Sequence, residues 1–463
     1  MPQTSFKLFS LNTLFVKSKK QIICLLDAIF LLFSLWFSHF LFEYPVQPIL
    51  PVAEPLIWGL FIICVLGSQF CSFYISDLYT LPSSSSRLFK LQGFYLILSS
   101  LITILIISVF CFITKFPLGR DVLLLAGGLS LISTFLSRLF FLQLFAPKYL
   151  ALLKPIKCIF LYKGPLSENL LKEPCFLRGY KEVTFDSEKN LDCLEDFILE
   201  AGIKLLLVDT TLQREVPQDL LEKLVKLKFK GVEVRDVGSF YEQIVGKLPL
   251  LHLPENWFLN SQLFQTVTNY SLIRFKRLFD LTIVSFSLPI ALPLILLGVI
   301  GVKLFSKGPA FYSQKRVGAN GKHFTIHKLR SMEVQDEDSA KVQWTEKNDP
   351  RITPIGKLLR STRIDELPQL WNILKGDMSC IGPRPERPEY TSQLQKEIPY
   401  YDLRHSIRPG ISGWAQVNEP YASPSDSLLK LEYDLFYIRN LSLFLEIEIL
   451  LKTVRVVLMR KGR

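Results

Sequence analysis

Four apolar runs, at about 22–42, 56–75, 94–113 and 122–145, fill the first third of this 463-residue chain. Each approaches the roughly 20 residues that an α-helix needs to cross the hydrocarbon core of a bilayer. In that solvent every backbone N–H and C=O must be satisfied within the segment, which leaves these runs the helix as their form. Pro45, Pro48, Pro51 and Pro55 separate the first two runs, and the serines at 83–86 separate the second from the third. Lys17, Lys19 and Lys20 precede the first run and no small-residue cleavage site follows it, so it reads as a retained membrane helix. Residues 1–150 are expected to form a four-helix transmembrane domain.

Orientation follows the Lys/Arg count of the loops. Lys17, Lys19 and Lys20 lie before the first run, Arg87 and Lys90 between the second and third, and Lys148, Lys154 and Lys157 after the fourth. The proline-rich loop carries none; Lys115 and Arg120 oppose the pattern but are outnumbered. Both ends of the bundle are therefore expected in the cytoplasm. The net charge is +12 and 49% of residues are hydrophobic. No zinc finger or RNP motif accompanies the basic charge, so it points to anionic membrane lipids and phosphorylated substrates, with no nucleic-acid partner. The 8 cysteines form no CxxC pair and read as small buried hydrophobes.

Residues 151–265 change character. "KCIFLY", "GIKLLLVD" and "VEVRDV" read as short strands, and "LDCLEDFILEAG" and "PQDLLEKLVKLKFKG" as amphipathic helices, the latter ending at Gly231. The alternation predicts a small parallel α/β domain. A dinucleotide-binding domain would place GxGxxG after its first strand; "LYKGPLSENLL" has one glycine and a proline, so the domain reads as a degenerate Rossmann-like one.

The last block, 266–463, opens with a basic start and about 25 apolar residues that contain Pro289 and Pro293. Mid-helix prolines remove backbone hydrogen bonds and bend a helix. A straight span would carry the charged remainder to the far side of the membrane, so a re-entrant helix hairpin at about 276–305, kinked at Pro293, is the expected form. Beyond it lie Gln314, Arg316, Lys322, Lys328 and Arg330, polar and cationic groups that suit either a phosphate-bearing ligand or lipid headgroups. His323 and His327 have no third ligand at metalloprotease spacing.

The densest charge lies in "TRIDELPQLWNILKGDMSCIGPRPE". Leu367, Leu370, Trp371 and Leu374 are spaced as one face of a helix, and Pro368 is tolerated only in a first turn. Asp365 and Glu366 would then sit at the positive end of that helix. Acidic residues in a first turn are ordinary helix stabilisers. Arg351, Arg360, Arg363, Lys375, Asp377 and the Pro383-Arg384-Pro385 turn are more than a helix end requires. They are what phosphoryl transfer requires: one carboxylate to attack phosphorus, another to hold Mg²⁺, and arginines to offset developing charge.

From Phe275 to about Arg460 the chain carries "KRLFD", "GPAFYSQKRVG", "HKLRSM", "NDPRITPIGKLLRSTRIDELPQLWNILKGDMSCIGPRPE", "RPGISGWAQVN" and "YDLFYIRNLSL". In these motifs it resembles the bacterial sugar transferases of the monotopic phosphoglycosyl (polyprenyl-phosphate hexose-1-phosphate) type. The four helices and the Rossmann-like domain ahead of them resemble the long members of that family. The resemblance implies transfer of a sugar 1-phosphate from a UDP-sugar to undecaprenyl phosphate, with release of UMP. This would be the first membrane step of exopolysaccharide, capsule or O-antigen synthesis, at the cytoplasmic face of the inner membrane. It implies Asp365 as a nucleophile forming an aspartyl phosphosugar, Glu366 as the acid associated with Mg²⁺, and Pro383, Arg384 and Pro385 as a phosphate-binding turn. It also implies Lys328, Arg330, Arg316, Arg363 and Arg408 as substrate contacts. Pro293 keeps the family's kink, with Leu292 in place of its serine, and Glu419-Pro420 stands where the family usually has Asn-Gly-Arg. A hydrolase of nucleotide sugars, a non-catalytic nucleotide-sugar-sensing scaffold, and direct transfer with Asp365 as a base are the competing readings. A homodimer joined through the middle domain is one assembly the sequence allows.

Overall fold

Residues 27–38, 55–75, 97, 99–109, 124–136, 155–185, 193–210, 217–253, 269–333, 349–420 and 426–458 are described by a computed structural model. They fall in two units, Met1–Lys154 and Pro155–Arg463. The basic flanks from which orientation was read, except Lys157, lie outside the described residues, as does the border expected near 265.

In the first unit the described residues are helical: α1 (Asp27–Ser38), α2 (Pro55–Ile75), α3 (Ser99–Val109) and α4 (Leu124–Leu136). Leu31, Phe61, Val65 and Ile107 pack together. Ile29, Phe33, Trp36, Ile63, Leu105 and Leu124 face outward, while Ser34, Thr103 and Thr134 lie inside. Their hydroxyls donate to the carbonyls of Phe30, Ser99 and Ser130, one turn back. Apolar residues outside and small polar ones within reverse the pattern of a water-solvated bundle and suit helices solvated by lipid.

The second unit opens with a sheet of four parallel strands in the order β2 (Tyr180–Glu182), β1 (Ile156–Leu161), β3 (Leu205–Val208), β4 (Glu233–Asp236). Its helices are α5 (Pro165–Lys172), α6 (Pro174–Gly179), α7 (Leu194–Ala201), α8 (Gln218–Phe229) and α9 (Val237–Val245). Ile159, Leu161 and Leu206 pack with α7 and α8, while Cys158, Phe160 and Leu207 pack with α5 and α9. Both faces are thus covered, which explains why these strands read as unbroken apolar runs. Strand β2, only 3 residues long, had no apolar run to mark it. Helix α8 ends at Phe229, earlier than the expected Gly231. At the start of α5, where a dinucleotide phosphate would sit, the Gly164 N–H and the Ser167 hydroxyl both donate to the buried Asp209 carboxylate, at 3.1 and 2.6 Å. The chain supplies its own anion there.

The last block begins with α10 (Tyr270–Phe305), a 36-residue helix that contains Pro289 and Pro293. It is the one helix among the described residues that is long and apolar enough to cross a membrane. The segment expected as a re-entrant hairpin at about 276–305 runs as one helix, and it begins six residues before 276. Its buried stripe, Asp280, Val284, Ala291, Gly298 and Val302, recurs at spacings of four and seven, so one face lies on the same body before and after the prolines. Phe286, Ile290, Leu292, Leu296 and Leu297 point away from that body.

Three polar side chains anchor the start of α10. Arg277 donates to the carbonyls of Ile373 and Leu374 at 2.6 and 2.9 Å. Asp280 accepts from the Ser379 hydroxyl and the Cys380 N–H, both at 3.0 Å. Lys276 donates to the Ile381 carbonyl at 2.9 Å and to Glu446 at 2.7 Å. The antiparallel hairpin β5 (Phe311–Val317) and β6 (His323–Leu329) follows, then α11 (Pro354–Ser361), a 3₁₀ helix (Ile364–Gln369) and α12 (Leu370–Lys375). Strand β7 (Ser379–Ile381), α13 (Pro388–Glu397), β8 (Gly410–Ser412), α14 (Trp414–Asn418), α15 (Ser427–Arg439) and α16 (Leu443–Leu458) complete the block, with β7 and β8 parallel. Helix α16 buries Glu446 and Ile449 and turns Leu443, Phe444 and Ile447 outward, so one face packs on the block and the other is apolar and free of it.

Candidate active site

Two local devices place the carboxylates. Thr353 caps α11, its hydroxyl accepting from the Gly356 N–H at 3.0 Å, and Pro354 opens the helix. The chain then reverses at Arg363, whose φ of 59° is left-handed, and re-enters as the 3₁₀ helix that carries Asp365 and Glu366 in its first turn. A 3₁₀ helix turns 120° per residue instead of 100°, which moves the apolar face expected from α spacing. Leu370 is buried, but Trp371, placed on that face by the sequence, is 63% exposed. Asn372 stitches α12 to β6: its amide donates to the Thr325 carbonyl at 2.7 Å and accepts from the His327 N–H at 3.3 Å. Sequence reasoning missed it; a polar residue among the apolar positions of a short helix was the available signal.

Three cations converge on Glu366. Lys328 Nζ lies 3.1 Å from Oε1, Arg384 Nη2 3.0 Å from Oε1, and Arg363 Nη1 3.3 Å from Oε2. Burial opposes ionisation of Glu366, yet Lys328, Arg384 and Arg363 outweigh it and hold the carboxyl well below its ordinary range. The neighbouring Asp365 is treated differently. Burial, together with the Glu366 charge, raises its carboxyl to about 6 against the opposing pull of Lys328, Arg360 and Arg363. Its Oδ1 is buried and accepts no hydrogen bond from the protein. Two adjacent carboxylates thus have opposite environments: one neutralised by cations, the other underbonded, partly desolvated and ionised at neutral pH.

The remaining expected residues divide. Arg316 is buried behind the proline turn; it donates to the Pro385 carbonyl at 3.3 Å and to Gln314 at 2.9 Å, and burial lowers its guanidinium to about 10. Pro383, Arg384 and Pro385 sit between β7 and α13. Their turn is tied to β8 by the Gly382 N–H on the Ser412 carbonyl at 2.8 Å and the Gly410 N–H on the Pro383 carbonyl at 3.0 Å. Arg408 is half-buried just before β8, and its carbonyl would lie 2.4 Å from a Cβ at Gly382. Its guanidinium has no ion-pair partner among the described residues. Arg330 does not reach the carboxylates. It donates to the carbonyls of Lys307 and Ser306 at 2.7 and 3.1 Å, the two residues that follow the end of α10. Pro293 lies in the interior of α10, outside this cluster.

A separate cavity of about 420 Å³ lies between the α/β sheet's helices and α15, lined by Lys172, Glu173, Tyr241, Lys247, His252 and Glu432. It shares no residue with the carboxylate cluster.

Residues 271–460 match the family described as bacterial sugar transferase. Over 236 residues the chain is 41% identical to the UDP-N-acetylgalactosamine-undecaprenyl-phosphate N-acetylgalactosaminephosphotransferase of Aeromonas hydrophila, covering 51% of this chain and 54% of that one. Over 302 residues it is 34% identical to the UDP-glucose:undecaprenyl-phosphate glucose-1-phosphate transferase of Xanthomonas campestris pv. campestris, covering 62% and 60%. An uncharacterized sugar transferase of Bacillus subtilis is 42% identical over 191 residues, which cover 40% of this chain and 89% of that one. The match thus spans only about half the length of the first two of these relatives.

Proposed function

The chain belongs to the bacterial sugar transferase family, and from that premise we propose that it moves a sugar 1-phosphate from a UDP-sugar to undecaprenyl phosphate, releasing UMP. The observation that carries this is the pairing of an underbonded carboxylate at Asp365 with a carboxylate fixed by three cations at Glu366. Family relatives whose names specify undecaprenyl-phosphate transfer support the substrate classes.

In the first step an Asp365 oxygen attacks the sugar-bearing phosphorus of the UDP-sugar. The P–O–P bond breaks, UMP leaves with its electron pair, and the sugar phosphate is held as an acyl phosphate on Asp365. In the second, an oxygen of undecaprenyl phosphate attacks the same phosphorus and the bond to Asp365 breaks, which gives undecaprenyl-diphosphate-sugar and restores the carboxylate. Arg384 and Lys328, already beside Glu366, offset charge on the transferring group. The raised Asp365 carboxyl is a better nucleophile than an ordinary one and is still ionised at pH 7.

The residues fit a Mg²⁺ ion. Glu366 Oε2 has one donor, at 3.3 Å, so it retains a lone pair for the ion. Mg²⁺ binds through one or two carboxylates and completes its shell with phosphates and water. Bound there, it would neutralise diphosphate charge. Helix α10, apolar on the face turned from the catalytic block, supports a membrane-embedded site in which the block and its helix stay on one side, as re-entry requires; the charged substrates place that side in the cytoplasm.

The test is UMP release from a panel of UDP-sugars by the protein in nanodiscs, with and without undecaprenyl phosphate, with Asp365→Asn alongside. Lipid-dependent release, lost in the variant and accompanied by a trappable phosphosugar adduct in the wild type, supports the reading. Lipid-independent release would make the protein a nucleotide-sugar hydrolase, and lipid-dependent release without an adduct would replace the covalent route by direct transfer.

A further inference from the structure

Residues 242–250 of the α/β part make several contacts with the catalytic block. Glu242, in α9, pairs with Arg439 and accepts from the Asn440 amide at 3.1 Å, both at the end of α15. The Leu248 N–H donates to the Glu432 carbonyl at 3.1 Å, and the Leu250 N–H to the Glu432 carboxylate at 3.2 Å. Leu248 and Leu250 are buried in the same core as Leu370, Ile373 and Ile381. Between these contacts Gly246 ends α9 at φ 74°, and its carbonyl accepts the indole N–H of Trp414 at 2.7 Å. A Cβ at Gly246 would stand 3.3 Å from that ring.

Trp414 is buried and held on three sides. Its ring stacks on Phe436, with centroids 5.7 Å apart, and the Lys452 ammonium lies 4.1 Å from the ring centroid. It follows directly on β8, the strand that backs the proline turn. A Cβ at Gly413 would meet the Gly382 carbonyl at 2.3 Å, and one at Gly410 would meet the Gly382 nitrogen at 2.1 Å. The backbones of 410–413 and 382–384 are therefore in contact, with no side chain between them to absorb a shift. Arg384, at the end of that turn, reaches Glu366. An unbroken series of hydrogen bonds and close contacts runs from Gly246 through Trp414 and β8 to Arg384.

We propose that Trp414 is a positioning residue, and that the α/β part holds the Pro383-Arg384-Pro385 turn in place through the Trp414–Gly246 hydrogen bond. The kinetic side of this rests on the reading above, in which Arg384 binds the donor's diphosphate. The middle domain, which carries no phosphate-cradling turn of its own, then contributes by fixing the turn that does. Ring burial supplies stability, and the N–H bond supplies alignment, so the two roles separate in Trp414→Phe, which keeps an aromatic ring over Phe436 and deletes the donor.

The experiment uses the full chain in nanodiscs and compares wild type, Trp414→Phe and Glu242→Gln by hydrogen–deuterium exchange and by UMP release. Glu242→Gln weakens the same joint without touching Trp414. In Trp414→Phe, peptides covering 379–386 and 408–414 are expected to exchange about 3- to 10-fold faster, the equivalent of one hydrogen bond, with KM for the UDP-sugar rising by a similar factor and kcat changing less. Glu242→Gln is expected to leave those peptides unchanged. Unchanged exchange at 379–386 in Trp414→Phe overturns the proposal, and so does equal acceleration in Glu242→Gln, since the effect would then be general loosening of the joint. Exchange is read without turnover. If wild type releases no UMP while the exchange pattern appears as expected, the assigned reaction falls and the positioning link stands.

Discussion

The guanidinium of Arg384 lies 3.0 Å from Glu366 Oε1, on the acid next to the proposed nucleophile and not on the nucleophile itself. A cation placed on Asp365 would lower its basicity and occupy the oxygen that must attack. Placed on Glu366, it fixes the second acid, leaves Asp365 underbonded and stays beside the path of the phosphate. The arrangement gives each carboxylate a separate task by environment alone.

Asp365→Asn is expected to abolish lipid-dependent UMP release, by about 10³-fold or more. The same change should stabilise the fold at neutral pH. A carboxyl raised above its unfolded value destabilises the native state once it ionises: the effect is absent below about 3.8, grows between there and about 6, and is complete above. Asparagine removes it, for a gain of about 1–3 kcal/mol at pH 7. Thermal melts of both proteins at pH 7 and pH 4 check this; the gain should shrink at the lower pH.

If Asp365 is the nucleophile proposed above, kcat/KM should fall tenfold per pH unit as pH drops below about 6, since the protonated carboxyl cannot attack. Glu366, held well below its ordinary range, stays ionised through that window. A profile flat down to pH 5 would assign the nucleophile to another group.

Arg384→Lys keeps the charge but loses the planar fork that grips a phosphate while touching Glu366. KM for the UDP-sugar should rise about tenfold, and Arg384→Ala should lower kcat/KM by about 10²- to 10³-fold. Steady-state UMP release separates the two.

Arg330→Lys should lower stability by about 1–3 kcal/mol, since the Ser306 and Lys307 carbonyls just past α10 lose forked donors. KM for the UDP-sugar should stay unchanged in the folded protein. A raised KM at unchanged melting temperature would return Arg330 to the substrate site.

Gly382→Ala places a Cβ 2.4 Å from the Arg408 carbonyl and 2.9 Å from the Gly410 nitrogen, both backbone atoms that cannot swing aside. The β7–β8 contact must open and the Arg384 turn must shift. Activity should fall about 10²-fold, the scale of a displacement of roughly 1 Å in a positioning group.

Much of this was legible in the residues. The apolar runs of β1 and β3 announced buried strands, the single glycine of "LYKGPLSENLL" set this βα turn apart from the GxGxxG pattern, and Pro368 announced a helical segment starting beside Asp365 and Glu366. These signals are local: they depend on side-chain period, on a missing N–H and on the backbone freedom of glycine, all of which act within a few residues. The charge-dense stretch around the two carboxylates stood out in the same local reading, and their expected roles came from the resemblance.

Only the tertiary structure decided which charge meets which. Lys328 and Arg330 are two residues apart, a spacing that puts both on one face of a strand. Strand β6 ends at Leu329, so Lys328 faces Glu366 while Arg330 turns to the end of α10. The proline segment is one helix because the rest of the block offers a continuous surface to its stripe from Asp280 to Val302. Trp414 finds Gly246, 168 residues away, for the same reason. A side chain's type sets what it can bind, but its partner depends on distances that close only when the whole core packs.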